Sequence, residues 1–528
     1  MKKLTPKQII DMWSKLKGER GTWETHWQEV ADLMFPRKNT ITVTRSPGEK
    51  RAQQLLDNTG VQANELLAGA LHGMLTSPNS LWFELTTGDE QLDKDDEVKN
   101  WLYDSTLRVH NVLNNSNFQM EVHEMYLDLT AFGTGVMLVE EDDRAHVRFN
   151  TKFIADYLID ENHMGFVDRI LFTWSWTAEK IINEYGMDKV PKKVLDAFKK
   201  NDMAKFKLIQ IIYPRTMVGD AAGQFPFISQ TILEDEKVEL REGKFREFPV
   251  IVPRWSKASG EVYGRSPGMN ALPEMKTLNK MAEVTLNGAQ KVVDPPLQLP
   301  DDGFIMPIIT KPGGLNYYRS GSQDIIRPVF NDTRIDFGFQ ALSEKRQRVR
   351  EAFYVDQLMT QQGPQMTATE VLQRTEEKMR LLGPMLGRQQ SELLRPLIDR
   401  VFGIMFRKNL LLPPPQALQG QVVDVKYSSM VAKAQRVNEG QAILRAFEAS
   451  APFIQLDQAV GDNFDGDRAV KVIASIYGTP PTIFKTKKEV EAARQARQQA
   501  QQAALQQQQE AHEAEQMSKV APLMQEGE

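Results

Sequence analysis

The sequence predicts an α+β protein in which helices predominate. Apolar residues recur at helical spacing over residues 5–76, 93–132 and 367–406. Between residues 135 and 255 the pattern changes to short runs rich in β-branched and aromatic residues, which is typical of strands. Long helical blocks on either side of a strand-rich block indicate an α+β unit, and we expect this unit to end near Ser259.

The first helical block is expected to bury its aromatic residues. Ile9, Trp13 and Leu16 are three or four residues apart and therefore lie on one face of a helix. Large aromatic residues at such positions usually belong to a core. The aromatic residues expected there are Trp23, Trp27, Phe35 and Trp82.

The strand-rich block begins with a predicted hairpin. Gly135–Val139 and His146–Phe149 flank an acidic connection at residues 140–143. A short helix from Lys180 to Tyr185 is expected to interrupt the strands. The other predicted strands are Phe166–Trp176, Phe206–Tyr213, Ile228–Leu233 and Phe248–Trp255.

A helix, a compact irregular module and a second helix follow. The first helix is predicted from Pro267 or Pro273 to about Val293, where Asp294 and two prolines end it. Residues 294–333 are rich in proline and glycine, and a second helix is predicted from near residue 332 to residue 353. This order is typical of an arm that projects from a protein body.

The C-terminal third is predicted to be helical. Thr367 and Glu370 have the spacing of a capping box, so a long helix is expected to begin there. Pro384 and Pro396 are expected to bend it. Residues 416–484 resemble a small helical domain. The alanine- and glutamine-rich tail that follows is either a helix that packs against identical copies or a frayed polar segment.

Composition limits the classes of function. The 528 residues carry a net charge of −5 and contain no cysteine. Disulfides and thiolate metal sites are therefore excluded, and tight binding of duplex DNA through a basic surface is not expected. No apolar run approaches the length of a membrane span, and Asp11 interrupts the apolar core that a signal peptide would need. We expect a soluble protein.

The spacing Gly264-x-Ser266-x-Gly268 has two interpretations. It matches the nucleophile elbow of an α/β-hydrolase, with Ser266 as the nucleophile. Alternatively, Ser266 caps a helix of which Pro267 is the first residue. An elbow uses the backbone N–H after the serine in its oxyanion hole, and Pro267 has no N–H. The helix-cap interpretation is therefore favoured.

Other catalytic patterns are weak or missing. The sequence contains no phosphate-binding loop of the type G-x-x-x-x-G-K-[ST]. Asp220 with Asp235 and Lys237 gives a faint nuclease-like arrangement, but such residues are common in charged turns. We therefore expect no catalytic residue, no cofactor and no metal site.

A basic run near residue 347 is conspicuous in this acidic protein. On a helix its charges spread around much of the circumference, and Glu344 and Glu351 flank them. A solvated or salt-bridged helix is the favoured interpretation, with phosphate contact as the alternative. The four basic residues are Lys345, Arg346, Arg348 and Arg350.

Taken in order, several separated motifs resemble the portal, or head-to-tail connector, proteins of short-tailed bacteriophages. The N-terminal region from Trp13 to Pro36 is also similar to that family. The motifs are Glu261-Val-Tyr263-Gly264-Arg265-Ser266-Pro267, Met366-Thr367-Ala-Thr-Glu370-Val371, Met430-Val-Ala-Lys-Ala-Gln-Arg436, and Pro480-Pro481 with Glu489-Val490 before the glutamine-rich tail. The structural motif residues that carry the resemblance most directly are Tyr263, Gly264, Arg265, Ser266, Pro267, Thr367 and Glu370.

The resemblance implies a portal-type fold and a dodecameric ring around a channel for double-stranded DNA. The implied parts are a wing (1–265), stem helices (266–293 and 333–353), a clip (294–332), a tunnel loop (354–366), a long kinked wing helix (367–409), a crown (410–485) and a C-terminal helical barrel with tail (486–528).

The resemblance also implies partners and a location. The ring would occupy one capsid vertex of the virion and would assemble in the host cytoplasm, with no membrane contact. Its implied partners are the terminase large subunit, the major capsid and scaffolding proteins, and the tail adaptor and internal core proteins. Such a portal makes and breaks no bonds, because the packaging ATPase is a separate protein.

Position and charge predict which residues contact DNA. The predicted tunnel-loop contacts are Gln357, Gln361 and Gln362, with the four basic residues Lys345, Arg346, Arg348 and Arg350 below them. The alternative functions are a DNA-processing hydrolase that uses Ser266, a metal-dependent nuclease that uses the Asp220 cluster, and a scaffold whose tail is the active part.

Overall fold

The computed structural model divides the chain into two compact units. One contains residues 1–82 and 108–411, and the other contains residues 83–107 and 412–528. The residues that the structure describes are 2–46, 48–89, 91–220, 223–293, 297–298, 327–328, 335–358, 383, 385–418, 423–427, 440, 442–453, 465–476, 479, 483–485 and 489–504.

Helices form most of the described chain, as predicted. Residues 39–46 and 48–58 are an exception, since they form turns, bends and irregular chain although the sequence pattern placed them within a helical block. Five consecutive β-branched residues, Thr40 to Thr44, and a proline–glycine pair that follows in the sequence explain the difference. The labelled helices are α1 (Pro6–Glu19), α2 (Gly21–Met34), α3 (Thr59–Leu75), α4 (Asp96–Asn115), α5 (Phe118–Phe132), α6 (Ala178–Tyr185), α7 (Lys192–Lys199), α8 (Pro267–Val293), α9 (Ile335–Ala352), α10 (Val355–Leu358), α11 (Arg395–Arg407) and α12 (Gly466–Ile476). Further helical residues lie at 385–389, 442–453 and 489–504.

The strands form two larger antiparallel sheets and two short pairs. A three-stranded sheet has the order β3-β2-β9, and a five-stranded meander has the order β4-β5-β6-β7-β8. The short pairs are β1 with β12 and β10 with β11. The strands are β1 (Phe83–Thr86), β2 (Met137–Asp142), β3 (His146–Thr151), β4 (Tyr157–Glu161), β5 (Val167–Thr177), β6 (Lys205–Pro214), β7 (Phe227–Leu233), β8 (Val238–Phe245), β9 (Val250–Ile251), β10 (Leu297–Gln298), β11 (Arg327–Pro328) and β12 (Asp424–Tyr427).

Two predictions about the strands need correction, and two strands of the five-stranded sheet, β4 and β8, were not predicted. The predicted strand Phe248–Trp255 is reduced to the two residues of β9, because Pro249 and Pro253 on either side cannot donate to a ladder. The predicted acidic connection is partly strand, since β2 extends to Asp142. Strand β8 was not predicted, because its alternating charged residues conceal its one buried position, Leu240.

The five-stranded sheet is covered on both faces. Ile9 of α1 packs with Leu171 and Ile209 on one face. On the other face, Ile181 of α6 and Val194 of α7 pack with Phe206, Leu208, Leu233 and Leu240. Helix α7 was not predicted from the sequence. The sheet is therefore a central layer that is packed on both faces within the first unit.

Helices α8 and α9 form the predicted helical pair. Strands β10 and β11, which lie between them in the chain, pair antiparallel through Leu297 with Pro328 and Gln298 with Arg327. Helix α8 begins at Pro267, the earlier of the two predicted starts. The rest of the predicted clip lies outside the described residues.

The end of the predicted long helix contains a wide turn. Residues Gln390–Leu394 form a π-helical turn directly before α11. Pro396 is the second residue of α11. A proline inside an α-helix removes one hydrogen bond and collides with the carbonyl four residues earlier, and a wider turn relieves that collision. The helix is thus irregular where Pro396 predicted a bend. Thr367, Glu370 and Pro384 lie outside the described residues.

The second unit contains an exposed helix over residues 489–504. Within it only Val490 is partly covered, and the other described side chains are exposed. Arg494 forms an ion pair with Asp467 at 2.6 Å between Nη2 and Oδ2. The described part of the predicted crown includes α12 and a helix over 442–453, and the tail after residue 504 lies outside the described residues. None of the described helices has the length and apolar character needed to span a bilayer.

A buried carboxylate on α5 makes the stability of the first unit depend on pH. Asp128 is 1% exposed, and its Oδ1 lies 2.7 Å from Nζ of Lys38. Among the residues that the structure describes, its Oδ2 has no hydrogen-bond partner. Burial raises the pKa of Asp128 to about 6, although Lys38 opposes the shift. The folded chain therefore holds a proton on Asp128 that the unfolded chain has released above about pH 4.

We expect Asp128→Asn to remove this dependence. A raised carboxyl pKa means that stability falls as the pH rises from about 4 to about 6, because the folded state must then ionise a buried group. Between pH 4.5 and 7.5 this loss amounts to roughly 2 kcal/mol in the wild type. Urea unfolding of both proteins at the two pH values measures it. Equal pH dependence in both proteins would show that Asp128 does not titrate in this range.

Candidate functional site

The predicted motif at residues 261–267 lies where the strand-rich part meets α8. Gly264 donates its N–H to Oγ1 of Thr134 at 2.8 Å. A Cβ on Gly264 would lie 2.2 Å from the carbonyl oxygen of Gly133, and a Cβ on Gly133 would lie 2.3 Å from the carbonyl oxygen of Gly264. Gly133 also has a φ of +82°, the left-handed region. Two backbones therefore meet here at a distance that only glycine permits.

The side chains of Tyr263 and Arg265 attach the motif to the N-terminal helices. The ring centroid of Tyr263 lies 5.1 Å from that of Trp27 and 5.9 Å from that of Trp23. The hydroxyl of Tyr263 accepts a hydrogen bond from the backbone N–H of Ile159. Arg265 lies over Trp23, with 5.0 Å between Cζ and the ring centroid, and pairs with Glu261. The motif thus joins α2 to the start of α8.

Ser266 is the N-cap of α8. Its Oγ accepts from the backbone N–H of Met269 at 2.9 Å and donates to the carbonyl oxygen of Ala131 at 2.7 Å. The residue is fully buried. Pro267 is the first helical residue, where its missing N–H has no consequence. The helix-cap prediction is confirmed, and a hydroxyl in these two hydrogen bonds is not arranged as a nucleophile.

We expect Ser266→Ala to destabilise the protein by about 2 kcal/mol. The substitution removes the cap, which is worth about 1 kcal/mol, and leaves the buried carbonyl of Ala131 without a donor. The midpoint of urea unfolding measures the effect. Ser391→Ala is the control, because the Ser391 hydroxyl donates at an exposed site. If both variants unfolded at the wild-type midpoint, the cap would have no energetic role.

Carboxylates of the same chain bind three of the four predicted basic residues. Nζ of Lys345 lies 2.8 Å from Oε2 of Glu274, and Nε of Arg346 lies 2.8 Å from Oδ2 of Asp57. Asp57 is buried, which alone would raise its pKa, but hydrogen bonds from Thr59 and Arg346 hold its pKa below the usual value.

The two remaining basic residues differ from each other. Arg348 pairs with Glu344 at 2.7 Å and lies 3.8 Å from Glu274. Arg350 is exposed and forms no ion pair with any described residue. The favoured interpretation of a salt-bridged helix is therefore correct for Lys345, Arg346 and Arg348. Arg350 differs, because no described carboxylate neutralises its charge.

The start of the predicted tunnel loop is held by an aromatic stack. Tyr354 has a φ of +58°, which is unusual for a residue with a large side chain. Its ring stacks on Trp255 with 6.3 Å between centroids and 29° between planes. Gln357 lies on α10, one turn later, whereas Gln361 and Gln362 lie outside the described residues.

Sequence reasoning missed the ion-pair cluster around Arg254. This residue is 1% exposed and pairs with Glu161 and Glu392, each at 2.8 Å. Burial alone would lower the pKa of Arg254, but the hydrogen bonds that it donates to Glu392 and Glu161 raise it. Lys257 also pairs with Glu161 at 2.7 Å. A single charged residue inside the apolar run Ile251-Val-Pro-Arg-Trp255 was the available signal.

The nuclease-like residues are engaged in local ion pairs. Asp220 lies 4.0 Å from Arg215, and Asp235 lies 3.5 Å from Lys193. Lys237 has a positive φ of 52° in the turn between β7 and β8. No three histidine, aspartate or glutamate side chains within the described ranges are grouped as a metal ion would need.

Comparison with known proteins gives consistent matches. The family model for the bacteriophage head to tail connecting protein matches residues 6–484. The probable portal protein of Bordetella phage BPP-1 is 34% identical over 504 residues, which cover 93% of this chain and 91% of that protein. The portal protein of Salmonella phage epsilon15 is 30% identical over 506 residues, which cover 93% of this chain and 90% of that protein. A solved structure of the virion of a native gene transfer agent particle is 11% identical, covers 74% of this chain and 86% of its own, and has a TM-score of 0.36.

Proposed function

The chain belongs to the bacteriophage head-to-tail connecting protein family and functions as a portal, and we propose that it does so as a closed ring of twelve copies around a DNA channel. Membership confirms the resemblance inferred from the motifs, and as a portal the chain is a component of the phage virion. No observation supports the hydrolase or nuclease alternative, and the proposed mechanism involves no bond-making.

The observation that carries the ring proposal is helix surface that, within the described residues, one copy leaves exposed. Helix 489–504 is exposed over nearly its whole length, and an isolated helix of this composition is unstable in water. Identical neighbours in a closed ring would cover such surfaces. Helices α8 and α9 also expose large apolar side chains, namely Val284, Leu286, Val293, Phe337 and Phe339.

In this proposal the segments have the roles that the family resemblance gave them. Residues 1–265 with 367–409 form the wing, 266–293 and 333–353 the stem, 294–332 the clip, 354–366 the tunnel loop, 410–485 the crown and 486–528 the barrel and tail. The ring would occupy one capsid vertex and assemble in the host cytoplasm. It would admit double-stranded DNA driven by the terminase and contact the major capsid, scaffolding, tail adaptor and internal core proteins.

An end-on electron-microscope view of the purified full-length chain, together with its native mass, tests the ring. We expect a closed annulus of twelve copies with a central hole. A chain that remained monomeric at high concentration would refute the proposal. A ring with a different number of copies would refute the number twelve but would still support the proposal of a channel.

The proposed DNA contacts are Gln357, Gln361, Gln362, Lys345, Arg346, Arg348 and Arg350, and Arg350 offers the cleanest test. Because Arg350 has no described ion pair, Arg350→Ala removes a charge without breaking one. We expect less DNA retained per filled particle, and each lost phosphate contact lowers the salt dependence of retention by close to one unit. Lys200→Ala on the surface after α7 is the charge-matched control. If both variants retained the same amount of DNA, Arg350 would be a solvated residue that does not contact DNA.

A further inference from the structure

Two consecutive residues, Arg254 and Trp255, contact both ends of one long segment. Trp255 stacks on Tyr354, which ends the turn after α9. Arg254 binds Glu392 in the π-helical turn before α11. The segment between Tyr354 and Glu392 contains three of the seven residues that we place in the channel, Gln357, Gln361 and Gln362.

Arg254 uses its complete set of side-chain donors. Nε and Nη2 donate to the two carboxylate oxygens of Glu392 at 3.1 and 2.8 Å. Nη1 donates to Glu161 and to the carbonyl of Val262, and Nη2 also donates to the carbonyl of Gly165. A guanidinium has five N–H donors, so all of them are used. Its planar fork therefore fixes the position of Glu392 in direction as well as distance.

The backbone of Arg254 adds two more bonds to the same turn. Its N–H donates to Oε2 of Glu392 at 3.0 Å, and its carbonyl accepts from Nε2 of Gln389 at 2.8 Å. Gln389 is fully buried. Glu392 also accepts from Arg388 at 2.9 Å. The π-helical turn is thus attached to residue 254 through both side chain and main chain.

The other end is attached to the next residue. Trp255 is buried, and its backbone N–H donates to the carbonyl of Gly133 at 2.9 Å. The backbone of Gly133 is also the one that contacts the backbone of Gly264, a residue of the motif at 261–267. One planar peptide bond joins Arg254 to Trp255, so the two ends of the segment share a single rigid support.

We propose that Arg254 and Trp255 form a common anchor, which holds both ends of segment 354–392 on the strand-rich part and transfers force from that segment to the motif at Gly133 and Gly264. The proposal deepens the proposed portal function, since it rests on the segment lying in the channel. Arg254 and Trp255 are positioning residues, because they act through the segment and not by touching DNA.

Hydrogen exchange on the purified full-length protein tests the anchor. Tyr354→Asn removes the stack and keeps a residue that tolerates a positive φ. Glu392→Gln keeps the side-chain shape and removes its charge. The anchor predicts that each variant raises exchange at the opposite end as well as its own, by about tenfold, at residues 385–394 and 354–358 respectively.

A matched control excludes general loosening. Phe248→Leu breaks a ring contact with Phe227, whose centroids are 5.2 Å apart, and should leave exchange at both ends of the segment at the wild-type rate. If the effect of Tyr354→Asn or Glu392→Gln stayed at its own end, the two attachments would be independent and the anchor would be refuted. Exchange does not depend on ring formation, so this result is separate from a failure of the portal proposal.

The transfer of force from segment 354–392 is tested with phage particles whose portal carries Glu392→Gln. We expect normal rings and capsids but at least a twofold loss of DNA retained per particle, and a smaller loss for Glu392→Asp, which keeps the charge. If rings formed and exchange crossed between the ends while DNA retention stayed at the wild-type level, transfer of force from the channel would be refuted.

Discussion

Gly264→Ala is expected to prevent stable folding, because its Cβ would lie 2.2 Å from the carbonyl oxygen of Gly133. The opposing atom belongs to backbone, and the backbone of Gly133 is held by the hydrogen bond from Trp255. Neither side can move without breaking the junction between the strand-rich part and α8. We expect a loss of roughly 4 kcal/mol or more in the free energy of unfolding.

Soluble yield and urea unfolding of the Gly264→Ala chain measure this effect. Gly69→Ala on α3 is the matched control, because a Cβ there would meet no atom within 4 Å. Alanine is the better helix former, so the control should gain about 0.5–1 kcal/mol. Wild-type stability in the Gly264 variant would mean that the two backbones do not approach as closely as the structure has them.

Arg254→Met is expected to cost about 3–5 kcal/mol at pH 7. Methionine fills much of the same volume but leaves the carboxylates of Glu392 and Glu161 without their main partner in a mostly buried place. Burial alone would raise the pKa of Glu161, but hydrogen bonds from Lys257 and Arg254 lower it. This stabilisation is therefore complete above the unfolded pKa near 4.3 and is lost as the pH falls through the lower folded pKa.

Urea unfolding of the Arg254→Met chain at pH 7 and at pH 4 measures both the size and the sign. The difference from wild type should shrink at pH 4, because Glu161 without Arg254 takes up a proton more readily than it does in the wild type. Arg241→Met is the control, since its pair with Glu184 is exposed and such pairs contribute little. Similar effects of the two substitutions would show that the Arg254 cluster is not energetically special.

Local patterns predicted the elements of this fold well where neighbours along the chain decide the conformation. Ser266 and Pro267 indicated the start of α8, and the structure has the expected cap. The periodic apolar residues located α1 to α5 in the same way. Strand β8 was missed because it lies at a sheet edge, where only Leu240 needs burial and the charged residues face water.

The candidate site was predicted only in part. The motif around Gly264 was identified as important, but its partner Gly133 was not, since nothing near either glycine in the chain indicates that two backbones meet. The basic run was identified from the sequence, and its pair with Glu344 lies within α9, whereas its pairs with Glu274 and Asp57 depend on how α9 packs against α8 and α3.

The sequence alone determined most of the helices and strands, the helix cap at Ser266 and the membership of the portal family, because each depends on spacing over a few residues or on the order of motifs. Only the tertiary structure decided that Arg254 binds Glu392, 138 residues away, and that Gly133 touches Gly264. Such contacts are selected by the burial of charge and by steric fit between distant segments, and neither of these physical causes leaves a periodic trace in the chain.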